Sequence, residues 1–144
     1  MLTFETETRP KITALDLEKM HLIDVLEDCR EFKILVDGEI FFSEPYYLIL
    51  EMAQYSQEWL KKGKRKNDIF GIAKYYERWL KKDERKNNFI YNTIDNDENP
   101  LLAFYEQEDG WKIESVWQEF ECTKVFSTEE VEDFIKNIIS HVAI

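Results

Sequence analysis

The 144-residue sequence is poor in the residues that break, staple or metallate a chain: it has four glycines, three prolines, two cysteines and two histidines. So little Gly and Pro leaves no flexible linker or low-complexity tail. It also leaves too few glycines for a phosphate loop or a dinucleotide-binding turn. Cys29 and Cys122 lie far apart and form no metal-type pair. The acidic start, Met1-Leu2-Thr3-Phe4-Glu5, lacks the basic and apolar stretches of an export signal. The two cysteines are therefore expected as reduced core thiols in a cytosolic protein. Neither His21 nor His141 has a second histidine one turn away, so no zinc-binding helix face is expected. The longest apolar run, Tyr46–Leu50, falls far short of the roughly 20 residues that span a bilayer, and no membrane partner is expected.

Positive charge is scarce as well. The chain has 19 Lys and Arg against 30 Asp and Glu, for a net charge of −11. Small soluble domains usually carry about 2–8 charges of net excess. A surface this acidic opposes wrapping nucleic acid, which requires a surplus of cations. The charge is also uneven: residues 61–86 are net +7, whereas 1–60 are net −8 and 87–144 net −10. The basic segment, with Tyr75, Tyr76 and Trp79 interleaved, has two readings. It is either a solvated helix pair or a phosphate-contacting patch of a nucleic-acid accessory protein.

What the chain does have is apolar bulk: 44% hydrophobic residues, including 10 Phe, 7 Tyr and 4 Trp. Leu2, Phe4 and Thr6 alternate with polar residues as a first strand. Thr13 with Asp16 resembles a capping box, and Leu15, Lys19, Leu22, Leu26 and Cys29 follow helical spacing, although Leu22–Leu26 also reads as extended. Asp37-Gly38 between Glu31–Val36 and Glu39–Phe42 predicts a two-residue hairpin turn. Ser43-Glu44-Pro45 reads as a helix start, with Leu48, Met52, Tyr55, Trp59 and Leu60 as its stripe. A second helix is expected over 68–82. Strands follow at Phe89–Ile94, Leu101–Tyr105 and Trp111–Trp117, and Ser127 caps a C-terminal helix through Val131, Phe134, Ile135, Ile138 and Ile139. The expected fold is α+β over residues 1–144 as a single domain. An antiparallel sheet of N-terminal strand, hairpin and C-terminal meander packs with helices. Residues 55–68 and 75–88 share eight of fourteen positions, a local duplication rather than a solenoid.

No constellation names a reaction. Ser43 and Ser127 are assigned to caps, no Gly-x-Ser-x-Gly elbow occurs, and Cys29 has no cue for a lowered pKa. Asp95, Asp97, Asn99 and Glu106 copy the oxygen spacing of a calcium loop. Pro100, however, occupies the position where that loop needs glycine with positive φ, so a polar turn is expected there. No cofactor, metal or catalytic residue is assigned, and an enzyme without a recognisable motif is the remaining rival. Trp111, Ile113 and Trp117 fall on one face of the last strand, where burial is the default. An exposed tryptophan beside Glu106, Glu108 and Asp109 would be an interface anchor.

The run Asn99-Pro100-Leu101-Leu102-Ala103-Phe104-Tyr105, then Gly110 to Glu121, then a capped helix resembles small bacterial immunity proteins. These are encoded beside polymorphic or contact-dependent toxins, including the wall-associated WapA type. The resemblance covers mainly residues 87–144. It implies a cytosolic, non-enzymatic protein that binds and blocks one cognate basic toxin domain, such as a nuclease. The partner-binding residues expected on this reading are Asp95, Asp97 and Glu98 in one loop and Glu106, Glu108 and Asp109 in another, flanked by Trp111 or Trp117.

Overall fold

The computed structural model describes residues 1–63, 88–92 and 100–144. In chain order these form β1 (Leu2–Thr6), α1 (Ala14–Lys19), α2 (Leu22–Glu27), β2 (Arg30–Val36), β3 (Glu39–Tyr47) and α3 (Ile49–Gly63). They continue with β4 (Phe89–Tyr91), β5 (Leu102–Gln107), β6 (Gly110–Glu114) and α4 (Thr128–Val142). The fold is α+β. Its strands are shared between two three-stranded antiparallel sheets, ordered β1-β2-β3 and β4-β5-β6. The expected helix over 68–82 and most of the 55–88 near-repeat lie outside the described residues.

The hairpin follows its sequence signal. Asp37 (φ 52°) and Gly38 (φ 84°) both have positive φ, as a type I′ turn requires. Beyond it, β3 departs from expectation. Ser43-Glu44-Pro45 does not open a helix: the strand runs on to Tyr47 and α3 begins at Ile49. The ladder pairs Phe32 with Glu44 and Arg30 with Tyr47, so Pro45 and Tyr46 together oppose Glu31 in a bulge. An edge strand and a bulge are where proline's missing N–H costs the ladder least. A second bulge leaves Phe41 as the extra residue between the Ile34–Phe42 and Leu35–Ile40 pairs. That break in alternation lets the adjacent Phe41 and Phe42 both be buried.

The helix expected after Thr13 is two short helices. Thr13 caps α1, its Oγ1 accepting from the Asp16 N–H at 3.0 Å. Met20 (ψ 135°) and His21 (ψ 150°) are extended and separate α1 from α2. The side-chain amide of Gln54 in α3 donates to the carbonyls of Leu17 (2.7 Å) and Met20 (3.4 Å), satisfying acceptors that an unbroken helix would use itself. Among the side chains described there, Leu17 and Val25 are buried, whereas Leu15 is 56% exposed. Cys29 lies between α2 and β2 and is half-buried rather than in the core; Cys122 is buried, and neither is in a disulfide.

Both sheets and α1 to α4 contribute to one hydrophobic core. Its aromatic rings form a closed circuit: Phe4–Phe134 (5.8 Å between centroids), Phe134–Phe104 (5.7 Å), Phe104–Phe89 (5.7 Å) and Phe89–Tyr55 (4.9 Å). It returns through Tyr55–Tyr91 (6.1 Å), Tyr91–Tyr47 (6.0 Å), Tyr47–Phe32 (4.7 Å) and Phe32–Phe4 (5.7 Å). The tyrosine hydroxyls inside it are satisfied. Tyr47 donates to Met52 Sδ at 3.0 Å, Tyr91 donates to Glu51 Oε1 at 3.1 Å, and Tyr55 accepts from the Ile90 N–H at 2.9 Å. Burial pushes the ionisation of all three tyrosines up.

Ser127 caps α4, its Oγ accepting from the Glu130 N–H, and Val131, Phe134, Ile135 and Ile138 are buried. Two tests follow from this packing. Phe104→Ala, which opens the circuit between the second sheet and α4, is expected to cost about 3–5 kcal/mol in urea unfolding. Asp37 accepts hydrogen bonds from Lys124 and from the N-terminal ammonium, and these hold its carboxyl below the usual aspartate range. A depressed native pKa stabilises above the unfolded value and is lost as pH falls through the native one. Asp37→Asn should therefore lower Tm at neutral pH, with the difference closing once acid protonates the wild-type carboxyl.

Candidate protein-binding face

The face that carries the expected contacts is built on the hairpin of β5 and β6. Gln107 pairs with Gly110, leaving Glu108 and Asp109 as its two-residue loop. Gly110 has φ 143° and lies under the backbone of Phe126; a Cβ there would stand 2.5 Å from the Phe126 carbonyl oxygen. That close approach exists because Trp111 and Phe126 exchange backbone hydrogen bonds of 2.8 Å in both directions, covering the free edge of β6.

The same pairing settles the fate of Trp111. It is only 4% exposed, its Nε1–H donates to Thr128 Oγ1 at 2.9 Å, and it meets Trp59 edge-on at 5.9 Å. Trp111 is a core residue, so it is withdrawn as a surface contact. Trp117 is not on the last strand, which ends at Glu114. It sits in the turn that follows, 47% exposed, with its ring stacked on buried Phe42 at 6.3 Å and 22°.

That turn is held from several sides. The Trp117 N–H donates to Ser115 Oγ at 3.1 Å, and the Ser115 N–H donates to Gln118 Oε1 at 3.1 Å. The Val116 N–H reaches the Pro100 carbonyl at 3.0 Å, and the Glu119 N–H reaches the Phe41 carbonyl at 2.7 Å, on the open edge of β3. The turn thus bridges the two sheets and presents Val116 and Trp117 from a fixed backbone.

Around it lie acids without counter-ions. Among the described residues, no Lys, Arg or His nitrogen comes within 4.0 Å of the carboxylates of Glu106, Glu108, Asp109, Glu114, Glu119 or Glu121. In the N-terminal half several acids are paired. Arg9 and Arg30 both bond Asp28 at 2.8 Å, Arg9 also reaches Glu7, Lys33 pairs with Glu31, and Lys61 with Glu18. Glu7 is held below the usual carboxylate range by the Glu31 N–H and then by Arg9.

Of the residues expected at the interface, Glu108, Asp109 and Trp117 are exposed and Glu106 is half-buried, its backbone N–H bonded to Asn88 Oδ1 at 2.9 Å. Asp95, Asp97 and Glu98 lie outside the described residues, as does Asn99 of the calcium-like spacing. Glu114, Glu119 and Glu121 were not among the expected contacts; their common sequence signal is a run of acids from 106 to 121 interrupted by a single cation, Lys112.

A groove of about 400 Å³ opens on the outer side of this sheet, lined by residues that include Tyr105, Lys112, Glu114, Gln118, Glu121 and Thr123. Among the described residues no group of three or more His, Cys, Asp or Glu is arranged to hold a metal ion, and no helix is long and apolar enough to cross a membrane.

The two tryptophans should separate experimentally. Trp111→Ala is expected to cost about 3–5 kcal/mol in chemical denaturation, as a buried aromatic does. Trp117→Ala should cost less than half of that, because much of its ring already faces water.

No curated protein and no solved structure matches the chain. A family model does, over residues 3–71 and 68–143, two segments that meet between the copies of the near-repeat. With nearly its whole length matched, the chain belongs to the family described as Domain of unknown function (DUF7878).

Proposed function

We propose that this protein acts in the cytosol as an immunity-type inhibitor, binding a basic toxin domain, such as a nuclease, and occluding its active site by charge complementarity. The observation that carries the reading is the set of six acids on and around the β5–β6 hairpin that lack a cation within 4.0 Å among the described residues. An excess of like charge along one hairpin and the chain after it raises the energy of the free protein, and a cationic partner relieves it. Exposed Trp117, on a turn fixed by five hydrogen bonds, supplies the aromatic anchor that such interfaces concentrate their affinity on. Among the described residues, Glu7, Asp37 and Lys124 have perturbed ionisation through surface ion pairs, and Tyr47, Tyr55 and Tyr91 through burial in the core. This favours binding over acid–base chemistry. Lys61, the one cation of the basic segment whose side chain is described, is already paired with Glu18.

The partner to test is a variable C-terminal toxin domain encoded in the adjacent reading frame. Co-expression of this chain should protect a bacterial host from that domain and yield a stable complex; full toxicity with no complex overturns the proposal. Charge reversal at Glu108 and Asp109 together should slow association at low salt about tenfold and flatten its salt dependence, since steering by a complementary field acts on the on-rate. An unchanged on-rate in stopped-flow at low salt counts against this face.

A further inference from the structure

We infer that the groove beside β5 and β6 receives an extended, arginine-bearing segment of the basic partner; the inference rests on the inhibitory reading above and assigns its docking cleft. The groove arises from strand alternation. Phe104 and Ile113 pair on the buried side, so the Tyr105–Lys112 and Ala103–Glu114 pairs face the other way. The returning chain, fixed by the Glu119 N–H to Phe41 bond, brings Gln118, Glu121 and Thr123 alongside as the second wall. The resulting space of about 400 Å³ accommodates one or two side chains of a bound segment.

The occupant follows from charge. Glu114 comes from the strand and Glu121 from the returning wall. Both are exposed, and among the described residues neither has a cation within 4.0 Å. Among the described residues Lys112 is the lone cation of the lining, against Glu114 and Glu121, and Glu119, Glu108 and Asp109 lie close by in the sequence. A guanidinium suits this lining better than an ammonium. Its planar fork bonds carboxylates in two directions at once.

The test uses the full ¹⁵N-labelled chain and a blocked pentapeptide of alternating glycine and arginine. Saturable amide shifts at Gln118, Glu121 and Thr123 are expected. Glu114→Gln with Glu121→Gln should weaken them about tenfold, the value of one charge-assisted pair, while leaving Tm close to wild type. The lysine counterpart should bind more weakly, and the glutamate counterpart should leave the spectrum unchanged. Shifts that never saturate, that map elsewhere, or that survive the double substitution overturn the inference. A toxin domain that binds the double variant with wild-type affinity removes the groove but not the inhibitory function. Peptide binding in the groove without protection of cells removes the function but not the groove.

Discussion

The closed circuit of eight aromatic rings is the constraint on which the rest of this structure depends. It passes from β1 to α4, through β5 and β4 to α3, and back through β3 and β2, so that two separate sheets are tied through side chains and not through a shared backbone ladder. Offset and edge-on ring contacts of this kind add about 0.5–1.5 kcal/mol each beyond the area they bury. Because the sheets share no strand, the loss of one ring acts on both. The tyrosines keep the circuit free of orphaned hydroxyls by finding Met52, Glu51 and the Ile90 backbone.

Closing the sheets also builds the candidate site. Each sheet leaves an edge, and unpaired edges invite association. The edge of β6 is covered by Phe126 and that of β3 by the Glu119 N–H. Both contacts come from the chain between β6 and α4. The segment that meets these two edges is therefore also the one that exposes Trp117, carries Glu119 and Glu121, and walls the groove. The hydrogen bonds that hold it position Trp117 in advance, and a pre-positioned anchor loses less entropy on binding.

Charge is unevenly placed along the chain. In the N-terminal half Glu7, Asp28, Glu31 and Glu18 are matched with Arg9, Arg30, Lys33 and Lys61, whereas among the described residues the six acids between 106 and 121 have no cation within 4.0 Å. The net charge of −11 averages paired and unpaired carboxylates together. An even excess serves solubility. A local one raises potential where a cationic surface would settle.

Local signals in the sequence determined much of this protein. The Asp37-Gly38 turn, the Thr13 and Ser127 caps, the stripe of α4 and the α+β character depend on contacts within a few residues, so spacing alone reveals them. The acidity of 106–121 was equally plain. Tertiary structure decided the rest. Pro45 stayed in a strand because an edge position and a bulge tolerate it, and α1 stopped because Gln54, 37 residues away, took the Leu17 carbonyl. Trp111 and Trp117 looked alike by alternation. One was buried by the Phe126 pairing and the other left exposed, because only the path of the returning chain fixes which side of a strand meets protein and which meets water.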